Sequence, residues 1–277
     1  MIMKKLVVID VGAAIGEFSQ HVLSYAENAK VFAIEPNLVI NGAALQALKT
    51  EFGKNLSIHS YALGQKSGVF PFFGSSQLNG QVGSLKKFNP EKKWDFYLEN
   101  TLDKGELFSY NLVSVKSVAE FLSEINQYDI DFLKIDAQGS DVEILEQFLK
   151  FSSIKCMVLE VNTTSDKSEN IYDGNNNLNT LVRVIYKYKL NIIKITPNAD
   201  FSELNVFLAK DMKVGQDILN YLKLSESVTF ARGWNVAIKS TSAVNSQINF
   251  NTIVFKLFRL SLHPIKSLRK ISRLLIG

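Results

Sequence analysis

The sequence predicts an α/β fold built on a parallel sheet, and three observations carry that prediction. Short apolar runs recur and end in an acid: Leu6–Asp10, Val31–Glu35, Asp131–Asp136 and Cys156–Glu160. Stretches with helical spacing separate most of them. A glycine-bearing turn, Asp10-Val-Gly-Ala-Ala-Ile-Gly16, sits between the first run and the first helical stretch. A short apolar run without alternation suits a strand buried on both faces. Strands that alternate with helices imply parallel pairing through right-handed crossovers.

Taken in order, Leu6–Asp10 is the first strand. Phe18, Val22 and Ala26 then share one helix face at i, i+4, i+8. Val31–Glu35 is the second strand, closed by Pro36. Asn37 is placed to cap a helix with Ile40, Ala44, Leu48 and Phe52 aligned. Leu56–Tyr61 reads as a third strand. Residues 66–112 break the rhythm with Gly, Ser and Asn among Phe70, Phe72, Phe73, Phe88, Trp94, Phe96 and Tyr97. A strand or hairpin is expected near 69–73. Two readings of this insertion stand: a surface excursion with its own aromatic cluster, or a cap over a substrate pocket. Val115–Ile125 is expected to be helical and Asp131–Asp136 a strand. After Gly139 a helix carries Val142, Leu145 and Leu149 on one face, followed by strand Cys156–Glu160. Helix Leu178–Tyr188 and strands at Leu190–Ile195, Val206–Lys210 and Asn235–Lys239 complete the series. The predicted main domain is 1–245, with a separate tail at 246–277.

Composition excludes several classes. The 277 residues include one cysteine, which rules out a disulfide framework or a cysteine-rich zinc module and suits a reducing, cytoplasmic setting. Charged residues at 21% and hydrophobic residues at 46% argue against a largely disordered chain. No apolar run approaches the roughly 18 residues of a membrane span. Leu6–Ile9 is too short for a signal-peptide core. The net charge of +4 is local: residues 251–277 carry six Lys and Arg and no acid, leaving the body near −2. A generally basic nucleic-acid surface is therefore not expected.

The glycine turn carries the strongest chemical signal. Glycine permits positive φ and close approach of a ligand to the backbone. The helix that follows presents free N–H groups suited to a carboxylate or phosphate. The spacing is G-x-x-x-G, not the G-x-G-x-x-G of dinucleotide folds, and Ala14 stands two residues after Gly12. Asp10 would repel a pyrophosphate and welcome an ammonium. That combination fits a cofactor bearing an amino acid, such as S-adenosylmethionine. The alternative is a strand–turn–helix junction that binds nothing. Glu35, ending the second strand, is placed to accept hydrogen bonds from two ribose hydroxyls, a device shared with dinucleotide folds. Its alternative is a solvated acid at a strand end.

Asp10–Gly16, Phe32-Ala-Ile-Glu-Pro-Asn37, Ala62-Leu-Gly64, Asp131-Phe-Leu-Lys-Ile-Asp-Ala-Gln-Gly139 and Leu159-Glu-Val161 occur in that order. Together they resemble the FkbM-type S-adenosylmethionine-dependent methyltransferases over about residues 6–165. The resemblance implies a class I, Rossmann-like methyltransferase fold: a mostly parallel seven-stranded sheet, one strand antiparallel, helices on both faces. It implies S-adenosylmethionine as cofactor and O-methylation of a sugar or secondary metabolite. Asp10, Gly12, Ala13 and Gly16 would shape the pocket for the methionine end. Ser19 would contact the cofactor carboxylate. Glu35, with Pro36 and Asn37, would hold the ribose, and Ala62 and Leu63 would line the adenine pocket. Asp136 would lie near the sulfonium methyl. The chain departs from the family at Ala14, usually Asn, and at Asp141, usually Glu.

Methyl transfer is an in-line displacement, so much of the catalysis comes from positioning. A sugar hydroxyl is a poor nucleophile and calls for a base. Asp136 is the first candidate for base or acceptor anchor, its alternative being a helix cap. Glu160, one strand over, is the second; the pair also has the option of holding a cation with Asn162, although no metal is assigned. His21, His59 and His263 carry no assigned chemistry, and Cys156 reads as inert core.

In the tail, Pro264 opens a helical stretch with Ile265, Leu268, Ile271 and Leu275 on one face and Lys266, Arg269, Lys270 and Arg273 on another. Such a stretch suits a membrane interface, over about 253–276, or a docking helix with a solvated basic face. The first option would place the protein at the inner face of the membrane and fit a lipid-linked glycan acceptor. Two other functions stay open: a methyltransferase-fold binding protein without turnover, tethered through its tail, and a nicotinamide-dependent oxidoreductase, which the glycine spacing disfavours.

Overall fold

The computed structural model describes residues 5–74, 83–89, 109–163, 170–197 and 203–225. Its main sheet contains β1 (Val7–Val11), β2 (Lys30–Ile34), β3 (Leu56–His59), β7 (Asp129–Ile135), β8 (Ser153–Asn162), β9 (Asn191–Pro197) and β10 (Glu203–Ala209). The order across the sheet is β3-β2-β1-β7-β8-β10-β9. β10 runs antiparallel to both neighbours, and the remaining pairings are parallel. This is the class I methyltransferase arrangement. The strand order reverses between β1–β2–β3 on one side and β7–β8 on the other, so a crevice opens at the carboxyl ends of β1 and β7.

A second sheet, order β4-β6-β5, is made of β4 (Ala62–Gly64), β5 (Gly68–Phe73) and β6 (Tyr110–Ser117). The helices are α1 (Glu17–Tyr25), α2 (Leu38–Phe52), α3 (Val118–Ile125), α4 (Asp141–Phe151), α5 (Leu178–Tyr188) and α6 (Met212–Tyr221). Val8, Phe132, Val158 and Phe207 on one sheet face meet Phe18, Val22 and Leu23 of α1 and Leu219 of α6. Phe18 stacks on Phe132 at 5.6 Å. Phe121 of α3 meets Phe148 of α4 edge to face.

Three sequence expectations change. The helix expected over Val115–Ile125 begins only at Val118, because Ser117 accepts from the Glu120 amide and caps it, and the residues before it pair with β5. The strand expected over Leu56–Tyr61 ends at His59 as β3, and after Ser60 and Tyr61 the chain enters β4 of the second sheet at Ala62. α2 turns a different stripe inward: Asn41, Leu45 and Leu48 are buried while Ile40 is exposed. His21 is tied down, its Nε2 2.8 Å from the Leu222 carbonyl. Helix α6 was not foreseen. Asn235–Lys239 and the basic tail lie outside the described residues.

Candidate functional site

The turn after β1 passes through left-handed backbone at Gly12 (φ +71), Ala14 (φ +48) and Gly16 (φ +88). A Cβ at Gly12 would stand 1.9 Å from the Asp136 carbonyl oxygen, so the ends of β1 and β7 meet where no side chain fits. The amides of Gly12 and Ala13 both donate to the Ile34 carbonyl at 3.0 Å. The Ala14 amide donates to Glu35 Oε2 at 2.8 Å. The turn is thereby fixed to the end of β2.

Asp10 and Ser19 are brought together, but not at the pocket surface. Both are fully buried, and Ser19 Oγ donates to Asp10 Oδ2 at 2.7 Å. Ser19, expected to meet a cofactor carboxylate, faces this acid instead. The ammonium that Asp10 receives belongs to Lys134, whose Nζ lies 3.1 Å from Asp10 Oδ1 and 3.0 Å from the Gly12 carbonyl. Lys134 also lies 3.7 Å from Asp136 Oδ2. Burial pulls its pKa down, yet the carboxylates of Asp10, Asp136 and Asp141 outweigh that and hold it above the ordinary value. Asp10 and Lys134 are direct partners across β1 and β7, and together they brace the floor of the turn.

Glu35 follows β2 and is buried. Its Oε1 accepts from the Asn37 amide at 2.8 Å, and its Oε2 accepts from Ala14. Burial raises its pKa against the opposing pull of these amides, the Asn41 side chain and Lys134. A carboxylate offers about four lone-pair sites, so two hydroxyls still find acceptors there. Pro36 is half-buried and Asn37 buried, and together they turn the chain into α2.

Asp136 follows β7 with its side chain 34% exposed. Gln138 Nε2 donates to Asp136 Oδ1 at 2.7 Å, and Tyr172 Oη donates to Gln138 Oε1 at 2.5 Å. Gln138 holds left-handed backbone (φ +49), and Gly139 packs so close to Tyr172 that a Cβ would sit 2.8 Å from it. Asp141 anchors this turn from below: its carboxylate accepts from the amides of Ala137 and Gly139 and from Asn176 Nδ2. Burial and the nearby Asp136 push the Asp141 carboxyl up to about 8. Glu160 is raised well above the usual range by burial, then by Glu203, Asp136 and Asp141. Strand register puts Glu203, Glu160 and Asp136 on one face at this edge. Asn162 is engaged with the Asn176 carbonyl at 3.0 Å. Among the described residues, no three His, Cys, Asp or Glu side chains converge to hold a metal ion.

Ala62 and Leu63 are buried on β4 in the smaller sheet, paired with Val115 and Lys116. One described part of the insertion, residues 83–89, lies against the Asp136–Gly139 turn. Ser84 Oγ donates to the Gln138 carbonyl at 2.5 Å. The Asn89 and Asp173 amides cross-link this segment to the 171–173 loop, donating to Ile171 and Lys87. Sequence reading missed Lys134, Gln138, Tyr172 and Asn176, since each gains its role from a partner on another segment.

These residues fit S-adenosylmethionine. Glu35 retains acceptor capacity for a ribose. Beyond it Asp136, Glu160 and Glu203 stand near one another, and burial, followed by the neighbouring acids, raises Glu160. A sulfonium with an ammonium would be favoured beside these acids.

Comparison with known structures finds similarities at low identity. PhzM, a pyocyanin biosynthetic protein, is 9% identical with a TM-score of 0.39, over 76% of this chain and 52% of its own. Precorrin-6y C5,15-methyltransferase from Geobacter metallireducens GS-15 is 15% identical with a TM-score of 0.38, over 74% of this chain and 78% of its own. An O-methyltransferase family 2 protein from Planctomyces limnophilus DSM 3776 is 13% identical with a TM-score of 0.38, over 76% and 52%. The chain thus spans about half the length of the first and third. No curated protein matches it. Residues 10–221 match the family described as Methyltransferase FkbM domain, whose methyl donor is S-adenosylmethionine, and the chain belongs to that family.

Proposed function

We propose that the protein transfers a methyl group from S-adenosylmethionine to a hydroxyl, on a saccharide or related metabolite. The observation that carries this reading is the half-exposed Asp136 carboxylate, held by Gln138 beside a Glu160 whose pKa is raised. The bound donor supplies an electrophilic methyl on sulfur. The work of the chain is then to align an acceptor oxygen and receive its proton as the oxygen–carbon bond forms and the sulfur–carbon bond breaks. Asp136 anchors the hydroxyl, and Glu160, a stronger base than an ordinary carboxylate when ionised, takes the proton. Gln138 and Tyr172 keep Asp136 in one orientation, which near-attack geometry requires. The 83–89 segment supports a role for the insertion as a wall on the acceptor side.

The basic segment at 253–276, read from sequence, favours an acceptor on a lipid-linked or cell-envelope glycan. Among the described residues no helix is long and apolar enough to cross a membrane. The test is transfer of isotope-labelled methyl from S-adenosylmethionine to envelope glycan fractions. The reading expects alkali-stable label, as in a methyl ether, that disappears in Asp136→Asn while cofactor binding persists. Cofactor binding without transfer to any glycan fraction would favour a tethered binding protein instead.

A further inference from the structure

Asn41 is fully buried, and neither its Nδ2 nor its Oδ1 has a hydrogen-bond partner. Among the described residues it is the one side chain with both polar atoms in that condition. A buried amide that bonds nothing is costly, and native proteins seldom keep one without a reason. Packing supplies no reason. Asn41 sits at i of an i, i+4, i+7 stripe with Leu45 and Leu48, and those leucines press on Gly16 of the glycine turn. A leucine at 41 would continue the stripe. The stripe instead ends in an amide one turn from the start of α2, beside Glu35. There the amide favours the charged carboxylate without reaching hydrogen-bond geometry. Glu35 itself is held at both oxygens by the backbone amides of Ala14 and Asn37.

We infer that Asn41 is a positioning residue for the cofactor's ribose: its amide donates to the Glu35 carboxylate when that carboxylate accepts the ribose hydroxyls. The inference rests on the cofactor reading above and adds a residue to it. Ribose hydroxyls on the remaining lone pairs of Glu35 favour its ionised form, and the Asn41 amide, already near enough to favour that form, completes its hydrogen bond there. The side chain thus raises affinity in the complex while costing stability in the uncomplexed protein. A purely structural amide would do the reverse or neither.

The test is calorimetric titration of the full chain with S-adenosylhomocysteine, for the wild type, Asn41→Leu, Glu35→Gln and the double variant. Each is also melted without ligand. Asn41→Leu is expected to melt at or above the wild type and to bind at least tenfold more weakly. In the Glu35→Gln background the same change is expected to matter less than threefold, because the two residues act together. If Asn41→Leu does not fold, Asn41→Ala carries the same expectation for binding. Wild-type affinity in the folded Asn41 variant, or an equal loss in both backgrounds, overturns the inference. So does a binding loss that comes with a clearly lowered melting point. Failure of the wild type to bind S-adenosylhomocysteine overturns the cofactor reading beneath it. Binding by the wild type that Glu35→Gln weakens and Asn41→Leu does not leaves that reading intact and removes this inference alone.

Discussion

Replacing Lys134 with methionine asks whether the floor of the glycine turn is an ion pair on which the site depends. Lys134 and Asp10 have side chains 10% and 0% exposed, with Nζ and Oδ1 3.1 Å apart. At that distance and an effective dielectric near 20, the attraction is about 5 kcal/mol. Methionine also abandons the Gly12 carbonyl, while Asp10 keeps only the Ser19 hydroxyl among these partners. Removing one partner of a buried pair typically costs about 3–5 kcal/mol, because the other charge stays buried. The assay is urea unfolding followed by far-ultraviolet circular dichroism. With a slope near 3 kcal/mol/M for a protein of this size, the midpoint should fall by about 1–2 M. Asp10→Asn combined with Lys134→Met should recover most of the loss, since neither charge then remains. A single variant within about 1 kcal/mol of the wild type, or a double variant as unstable as the two singles summed, would refute the reasoning.

Further predictions concern the same region. Gly12→Ala should not yield a folded protein of wild-type stability, because its Cβ would stand 1.9 Å from a backbone oxygen that cannot retreat; circular dichroism and solubility check this. The Cys156 thiol is fully buried, and burial pushes its pKa up to about 12. It should ignore a disulfide reagent at pH 8 in the folded chain and react on unfolding in urea. Asp141 should make stability fall as pH rises. Its folded pKa, about 8, stands above the ordinary 3.8, so the folded state holds the extra proton between those values. Its contribution is complete below the lower value and is lost toward the upper. Urea midpoints from pH 5 to 8 should decline, and the decline should flatten in Asp141→Asn; a rising series would contradict the assignment.

Much of the sheet was legible because its strands announce themselves. Val7–Val11 and Lys30–Ile34 are apolar runs that end beside an acid, and an acid at a strand's carboxyl end has few places to go except the crevice. Glu35, Asp136 and Glu160 became candidates that way, whereas Asp10, the acid of the first run, is buried against Ser19 and Lys134. The glycine turn was legible because left-handed backbone at positions 12 and 16 asks for glycine. What failed to show was pairing at a distance. Lys134 lies within an apolar strand, and nothing local says that its partner is Asp10, 124 residues earlier. Ser19 was sent to the pocket because its position one turn into the helix was read without that same acid. On α2 the sequence Leu-Val-Ile-Asn-Gly-Ala-Ala-Leu is apolar nearly all round, so periodicity does not fix its rotation. Choosing the stripe through Ile40 hid Asn41. The start of α3 was readable: Ser117 followed three residues later by Glu120 is an N-cap signal, and the valines before it alternate as in a strand.

The central claim is that Glu35 and the glycine turn hold S-adenosylmethionine. It is tested most directly by calorimetric titration of the cofactor into the wild type and Glu35→Gln, with melting curves to verify that the variant is folded. Glutamine is preferred to alanine here because it still accepts from one of the two backbone amides. The account predicts saturable wild-type binding that weakens in the variant by a charge-assisted hydrogen bond, about 1.5–3 kcal/mol. Absence of wild-type binding at millimolar cofactor, or equal affinity in a folded variant, would contradict it.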